Sequence, residues 1–252
     1  MRFASLGSGS KGNATLIQEG DTCLLIDSGF SLRELERRLA RFGLRGEGIT
    51  AVLVTHEHGD HIGGVGPLAR KYGMPVWTTR GTMVGGRLGR LPDWRPIDVH
   101  EPLEIGDLAV QAYPVPHDAR EPCQFVIDNG DVRLGLLTDA GGITAHIVER
   151  LDGVAALILE CNHDETLLAE GPYPPALKAR VGGRFGHLSN TQAAELLTRI
   201  DTGALQHVIA AHLSEQNNTG QHARAALSTA LGCHADWIGV ADQTSGFDWR
   251  AL

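Results

Sequence analysis

Residues 53–64 read LVTHEHGDHIGG, and this stretch limits the fold more than any other in the chain. Four side chains of metal-ligand type, His56, His58, Asp60 and His61, fall within six positions, directly behind the apolar run Ala51-Val52-Leu53-Val54. A packed core cannot take that many polar groups without leaving buried donors and acceptors unpaired. An apolar run that stops at a glycine-containing loop gives a fixed strand end followed by a turn that lets side chains converge. Neutral imidazoles with a carboxylate suit zinc, and also manganese or iron(II).

Further candidates follow other apolar runs. His117 comes after VQAYPVP, Asp139 after RLGLLT and His212 after LQHVIAA. Strand ends are where α/β proteins build their sites, so these distant residues are expected to reach the first cluster. Nine strand-like runs are legible: Phe3 to Leu6, Ala14 to Gln18, Cys23 to Ile26, Ala51 to Val54, Leu108 to Val115, Gln124 to Ile127, Arg133 to Leu137, Ala156 to Leu159 and His207 to Ala210. Helical patterns cover Ser31 to Phe42, Ser189 to Ile200 and Gly220 to Leu231. The first opens with the capping spacing Ser31, Glu34 and carries Leu32, Leu35 and Leu39 on one face. Meander signals followed by strand, helix, strand alternation predict sheets covered by helices on their outer faces. Gly81 to Pro96, rich in Gly, Arg and Pro, reads as a long surface loop with one helical turn.

With 252 residues, 42% hydrophobic and 21% charged, the chain is globular and long enough for one large domain or two fused halves. No linker divides it, so one domain over residues 1–252 is expected. A net charge of -8 argues against a broad basic face for nucleic acid, so any polyanion would be gripped locally. Cys23, Cys123, Cys161 and Cys233 lie far apart and suggest neither disulfides nor a cysteine zinc site. The opening MRFASLGSGSKGN lacks the basic start and apolar core of a signal peptide, and no apolar run approaches the ~20 residues that span a bilayer. A cytoplasmic protein with no membrane partner is expected.

The order H-x-H-x-D-H, then a lone His, a lone Asp and a late His resembles the metallo-β-lactamase superfamily, over nearly the whole chain. The resemblance implies an α/β fold, an αββα sandwich of two similar halves. It implies one metal held by His56, His58 and His117, and a second by Asp60, His61 and His212, with Asp139 and a water or hydroxide between them. Two divalent ions, zinc or manganese, are the expected cofactors. In LLIDSG, Asp27 stands at the superfamily's first motif, where the carboxylate supports the metal loop without binding metal.

Two further matches narrow the branch. GHLSNTQAAELLTRIDTGALQHVIAAHLSEQNN resembles the end of ribonuclease Z, which implies His212 as ligand and His187 as a phosphate contact or proton donor to the leaving oxygen. SLGSGSKGNATLI, LTDAGG and LECNHD resemble the small YycJ/WalJ-type members, two-metal nucleases acting on DNA and related to the ribonuclease J group. In the turn Ser8 to Asn13, Ser8, Ser10 and Asn13 are candidates to bind a phosphate. Glu160 is expected to support the site from behind, Asn162 to do so or to face substrate, and His163, Ser189 and Asn190 to meet substrate. The 48 positions between Asp139 and His187 are too few for the β-CASP insertion of ribonuclease J. The 22 between His117 and Asp139 are too few for the tRNA-gripping arm of ribonuclease Z.

The expected function is a two-metal phosphodiesterase, an exonuclease on DNA or RNA, with a metal-bridging hydroxide attacking phosphorus, Asp60 orienting it and His187 protonating the departing oxygen. Arg80, Arg87, Arg90 and Arg95, with Lys178, Arg180 and Arg184, are the charges expected along a bound strand. Its partners are nucleic acid or another phosphodiester, with a homodimer as an open arrangement. The alternatives are a hydrolase of a small cyclic phosphodiester or thioester, and a metal-bearing regulatory protein without catalysis.

Overall fold

The computed structural model describes residues 1–252. The first half begins as a meander, β1 (Arg2–Gly7), β2 (Ala14–Glu19) and β3 (Thr22–Ile26), and continues through α1 (Leu32–Arg41) to β4 (Ala51–Leu53). The two helices α2 (Gly59–Ile62) and α3 (Val65–Tyr72) then lead to β5 (Val76–Thr78), α4 (Arg80–Gly85) and β6 (Trp94–Pro96). The second half repeats this plan. β7 (Leu103–Ile105), β8 (Leu108–Pro114), β9 (Cys123–Asp128) and β10 (Arg133–Leu137) form a meander, followed by α5 (Ala145–Leu151) and β11 (Ala156–Glu160). α6 (Glu165–Glu170), α7 (Pro175–Val181) and α8 (Asn190–Arg199) precede β12 (His207–Ala211), α9 (Gly220–Leu231) and β13 (Gly239–Val240). The closing strand β14 (Phe247–Ala251) returns to pair with β1.

The strands form two sheets of seven, in the orders β14-β1-β2-β3-β4-β5-β6 and β13-β12-β11-β10-β9-β8-β7. In each, antiparallel pairing in the meander gives way to parallel pairing from the meander's last strand outward. The period of two in the sequence decides the layers. Leu24, Ile26, Ala51 and Leu53 point between the sheets, where they meet Phe125, Leu136 and Ile158. Their neighbours Cys23, Leu25, Val52 and Val54 point outward under Leu35 and Leu39 of α1 and Leu68 of α3. Leu157, Leu159 and Val208 do the same beneath α5, α8 and α9. The parallel strands are buried on both faces, so they read as continuous apolar runs. The result is the αββα sandwich, two mixed sheets flanked by helices.

All nine expected strands and three expected helices are present. Ser31 caps α1 by accepting from the Glu34 N–H, while Glu34 itself turns to Arg37 and Arg38. Ser189 and Gln192 complete a reciprocal box at α8. In the stretch 81–96 the expected helical turn is present as α4, which runs to Gly85, and the departure from a loop is β6 at Trp94–Pro96, fastened by Trp94 Nε1 donating to Thr78 Oγ1 at 2.9 Å. Strands of three residues are too short to show alternation. Three cysteines are buried and Cys233 is half-buried, all four as free thiols. No helix is long and apolar enough to cross a membrane.

Candidate metal centre

Parallel strands of both sheets end at one edge, and several expected donors stand at or just past such an end, while Asp60 and His61 lie on α2 and His117 follows the antiparallel strand β8. β3 delivers Asp27, β4 leads into Thr55 and His56, β10 into Asp139 and β12 into His212, while Glu160 is the last residue of β11. Asp27, Asp139 and His212 adopt left-handed backbone conformations, with φ of 60°, 57° and 52°. A non-glycine residue in that region costs roughly 1–2 kcal/mol. The loop that carries Asp27 is pressed onto α2, and a Cβ on Gly29 would lie 1.7 Å from the Asp60 carbonyl oxygen, so only glycine fits there.

The first donor set is His56, His58 and His117. Each ring is oriented by a partner on its other nitrogen. His56 Nδ1 donates to Thr55 Oγ1 (3.0 Å), His58 Nε2 to the Asp118 carbonyl (3.2 Å) and His117 Nδ1 to the Gly186 carbonyl (2.9 Å). The three remaining nitrogens face one another: His58 Nδ1 lies 3.0 Å from His56 Nε2 and 3.3 Å from His117 Nε2. Two ligands at about 2.1 Å around a tetrahedral ion stand about 3.4 Å apart, so this spacing fits a shared cation. Burial, first of all, drives the His56 and His117 imidazoles below their ordinary pKa, which keeps them neutral and able to coordinate.

The second set is Asp60, His61 and His212. Asp60 Oδ2 is 3.6 Å from His61 Nε2 and 3.7 Å from His212 Nε2. Asp139 lies between the sets, its Oδ2 3.1 Å from His61 Nε2 and its Oδ1 4.0 Å from His117 Nε2. Asp139 Oδ2 and both ring nitrogens of His212 are buried without a hydrogen-bond partner. Asp139 Oδ1 and Glu160 Oε1 stand 3.0 and 3.3 Å from His212 Nδ1, and polar atoms buried unbonded at this meeting point are the observation that best fits a divalent cation. Burial disfavours charge here, yet Asp139 and Asp27 raise His61, and Asp139 and Asp60 raise His212, well above the usual imidazole range. His212 and His61 in turn outweigh burial and hold the Asp139 carboxyl well below the carboxylate range. The field of these carboxylates favours positive charge.

Behind the donors, Asp27 accepts from Thr55 N, Thr55 Oγ1 and His61 Nδ1, each at 2.8 Å. Glu160 accepts from Ala140 N (2.9 Å), Leu188 N (3.1 Å) and His187 Nδ1 (2.7 Å). Burial would raise the Glu160 carboxyl, but His187 and His212 outweigh it and hold it at about 2. Burial lowers and Glu160 then raises the His187 pKa, with a net upward shift. Asp139, Glu160, His187 and His212 also fall into one donor group, so the structure places His187 at the rim of the cluster rather than on the outer surface.

The residues expected to meet substrate are placed unevenly. Ser8 Oγ accepts from His212 N (2.9 Å), and the Asn13 carboxamide bonds Gly9 at both ends and comes within 3.1 Å of His61 Nε2. Both polar groups are thus engaged inside the protein and brace the donors, while Ser10 stays exposed. Ser189 caps α8 and donates to Glu165, and Asn190 is locked to Asn218 in a reciprocal pair. His163 is buried beside a cavity. Three groups were not anticipated: Thr55, which links Asp27 to His56; Asp118, which accepts from His58 and Arg180; and Asn218, which ties α8 to the Cys161 carbonyl. The adjacency of Thr55 and Asp118 to histidines was the available signal; for Asn218 there was none.

Comparison with known proteins agrees with this geometry. A model of the beta-lactamase superfamily domain matches residues 22–212. The exodeoxyribonuclease YycJ of Bacillus anthracis is 35% identical over 235 residues, covering 92% of this chain and 89% of that protein. The exodeoxyribonuclease WalJ of Streptococcus pneumoniae serotype 2 is 34% identical over 248 residues, covering 95% of this chain and 91% of that protein. Among solved structures, the metallo-beta-lactamase fold protein YhfI of Bacillus subtilis superposes with a TM-score of 0.76 over 99% of this chain and 98% of that one, at 18% identity, a likeness of fold. Donor order, sheet topology and these similarities converge: the chain belongs to the metallo-β-lactamase superfamily, in the branch of its YycJ/WalJ-type members.

Proposed function

We propose that the chain is a divalent-metal-dependent phosphodiesterase that removes nucleotides from the ends of DNA. The observation that carries this reading is the pair of donor sets meeting at Asp139 with the His187–Glu160 pair at their rim. Similarity over 92% and 95% of the chain to two proteins named exodeoxyribonucleases supports the substrate class. His56, His58 and His117 would hold one ion and Asp60, His61 and His212 the other, with Asp139 shared and zinc or manganese as the metal. Such a pair supplies an acidified water and neutralises charge on the phosphoryl oxygens.

The chain's own groups do the rest. Asp60 orients the attacking water through its carboxylate, which is partly open to solvent. His187 keeps Nδ1 on Glu160 and so presents Nε2 as the proton donor to the departing oxygen. Glu160 fixes the ring and favours its protonated form before transfer. Lys178, Arg180 and Arg184, three to nine positions before His187, would meet an incoming anionic strand, Arg180 from its ion pair with Asp118.

The test is digestion of duplex and single-stranded DNA and RNA, labelled at either end, with manganese or zinc added and Asp60→Ala as control. Stepwise shortening from one end by the intact protein alone is expected. Shortening that persists in Asp60→Ala, or none with any polymer by protein carrying two ions, refutes the reading.

A further inference from the structure

A cavity of about 370 Å³ lies between α6, α7 and the start of α8. It is large enough for a small ligand, at the low end of the roughly 300–1,000 Å³ that such sites occupy. His163, Glu165, Lys178 and Gln192 form its polar wall, Leu168 part of its floor, and Gly182 leaves one side open. His163 is only 3% exposed, and its Nδ1 has no partner. Its backbone is pinned, by a parallel bridge to Ser189 and by Asn190 N donating to its carbonyl at 2.8 Å. The ring is therefore held in place by the chain and not by side-chain bonds; Nδ1 is turned inward, and Nε2, 4.0 Å from where a Cβ on Gly182 would stand, is the nitrogen on the Gly182 side of the cavity.

The other wall groups have capacity to spare. Lys178 donates to the Ala169 carbonyl, and an ammonium has two further N–H groups. Glu165 accepts from Ser189 Oγ at 3.0 Å through one oxygen only. A cation, an imidazole, a carboxylate and a carboxamide around an apolar floor match a nucleotide, which brings a phosphate, hydroxyls and a flat base. Position gives the cavity its meaning. His163 stands three residues beyond Glu160 and Ser189 two beyond His187, so the segments that carry the proton-donating pair run on into the cavity's wall.

We propose that this cavity holds the terminal nucleotide on the departing side of the scissile phosphate, with Lys178 and His163 on its phosphate and Glu165 and Gln192 on its sugar or base. The inference rests on the exonuclease reading. In the step it serves, the water oxygen bonds to phosphorus and the bond from phosphorus to the departing oxygen breaks with its electron pair. That oxygen takes the proton of His187, which a proton of the water replaces. The freed nucleoside monophosphate then leaves from the cavity, so it competes with the strand end.

Gly182 provides the test. Its φ of -83° is open to any residue, and a Cβ there would touch Leu168 and the Lys178 carbonyl at an ordinary 3.5 Å, so Gly182→Leu folds while its side chain fills the cavity. Calorimetric titration of the metal-loaded protein with deoxyadenosine monophosphate, deoxyadenosine and inorganic phosphate reads the site directly. The monophosphate should bind about tenfold or more weakly to Gly182→Leu and Lys178→Ala, and Lys178→Arg should restore it. On end-labelled DNA Gly182→Leu should raise KM, with hydrolysis of bis(4-nitrophenyl) phosphate unchanged. Unaltered monophosphate affinity in Gly182→Leu overturns the proposal even where DNA is degraded. Loss of that affinity in a chain that degrades no DNA sustains the cavity and removes the exonuclease reading alone.

Discussion

Asp27→Asn separates the proton arrangement of the site from its shape. Asn tolerates the left-handed backbone that Asp27 occupies at φ 60°, so the loop keeps its path. One carboxamide oxygen still accepts from Thr55 N, but an NH2 replaces the oxygen that accepts from His61 Nδ1 at 2.8 Å. Two donors then face each other, and His61 relieves the clash by moving its proton to Nε2. That nitrogen is the one 3.1 Å from Asp139 and 3.6 Å from Asp60, so a proton there blocks coordination. Loss of such an orienting partner typically weakens metal binding about 10- to 100-fold, or about 1.4 to 2.7 kcal/mol. Calorimetric titration with manganese or zinc should show the ion at Asp60, His61 and His212 weakened by that factor. Denaturation of the metal-free protein should lose about 1.5 to 3 kcal/mol for the charge-assisted hydrogen bond. Wild-type affinity for both ions in Asp27→Asn would refute the tautomer argument.

Other perturbations read other parts of the chain. His187→Ala should lower turnover of end-labelled DNA by about 10² to 10⁴-fold with metal content unchanged; loss of an ion instead would make His187 a ligand. Chelation should abolish hydrolysis and lower the melting temperature, and added manganese or zinc should restore both, because the buried donors again have a cation. Leu157→Ala, at a fully buried position of β11, should cost about 2 to 5 kcal/mol in urea denaturation. Hydrogen bonds from Arg37 and Arg38 hold the Glu34 carboxyl at about 2, against an ordinary 4.5. Its folded pKa is depressed, so the stability it adds is present above about pH 4.5 and lost as pH falls toward 2. The stability gap between wild type and Glu34→Gln should close across that window in acid titrations.

The proposed metal donors were legible because four of them crowd one loop and the other three each follow an apolar run. Nine strands were legible because each falls in an apolar run of four or more residues with clear bounding residues, including three-residue β4 inside Ala51 to Val54. β5, β6 and β7 have three residues each, and their pairing is decided by neighbours far along the chain. The turn Ser8 to Asn13 shows a different limit. A Gly/Ser/Asn turn presents the same residues whether it cradles a phosphate or braces the protein. Only the tertiary contacts, Ser8 Oγ on His212 N and Asn13 beside His61, reveal what its side chains engage. Asn218 is invisible for the same reason, since its partners Asn190 and Cys161 are 28 and 57 positions away.

Strain and charge point to the same edge of the sandwich. Asp27, Asp139 and His212 all leave parallel strands with φ between 52° and 60°, where glycine would relieve the backbone. Glycine has no side chain to accept a hydrogen bond or bind a cation, so each left-handed turn exchanges local stability for a donor swung back over the strand end. Around them Asp60, Asp139 and Glu160 bring three carboxylates within reach of His212, two of them buried. Buried like charges repel, and histidines alone compensate them only while protonated. A divalent cation compensates them in every protonation state that leaves the imidazoles neutral. The sandwich tolerates strained turns and crowded carboxylates because its core lies between and outside the sheets, away from this edge. Stability is thus supplied by Leu157, Leu53 and their neighbours, which leaves the strand ends free to hold residues chosen for chemistry.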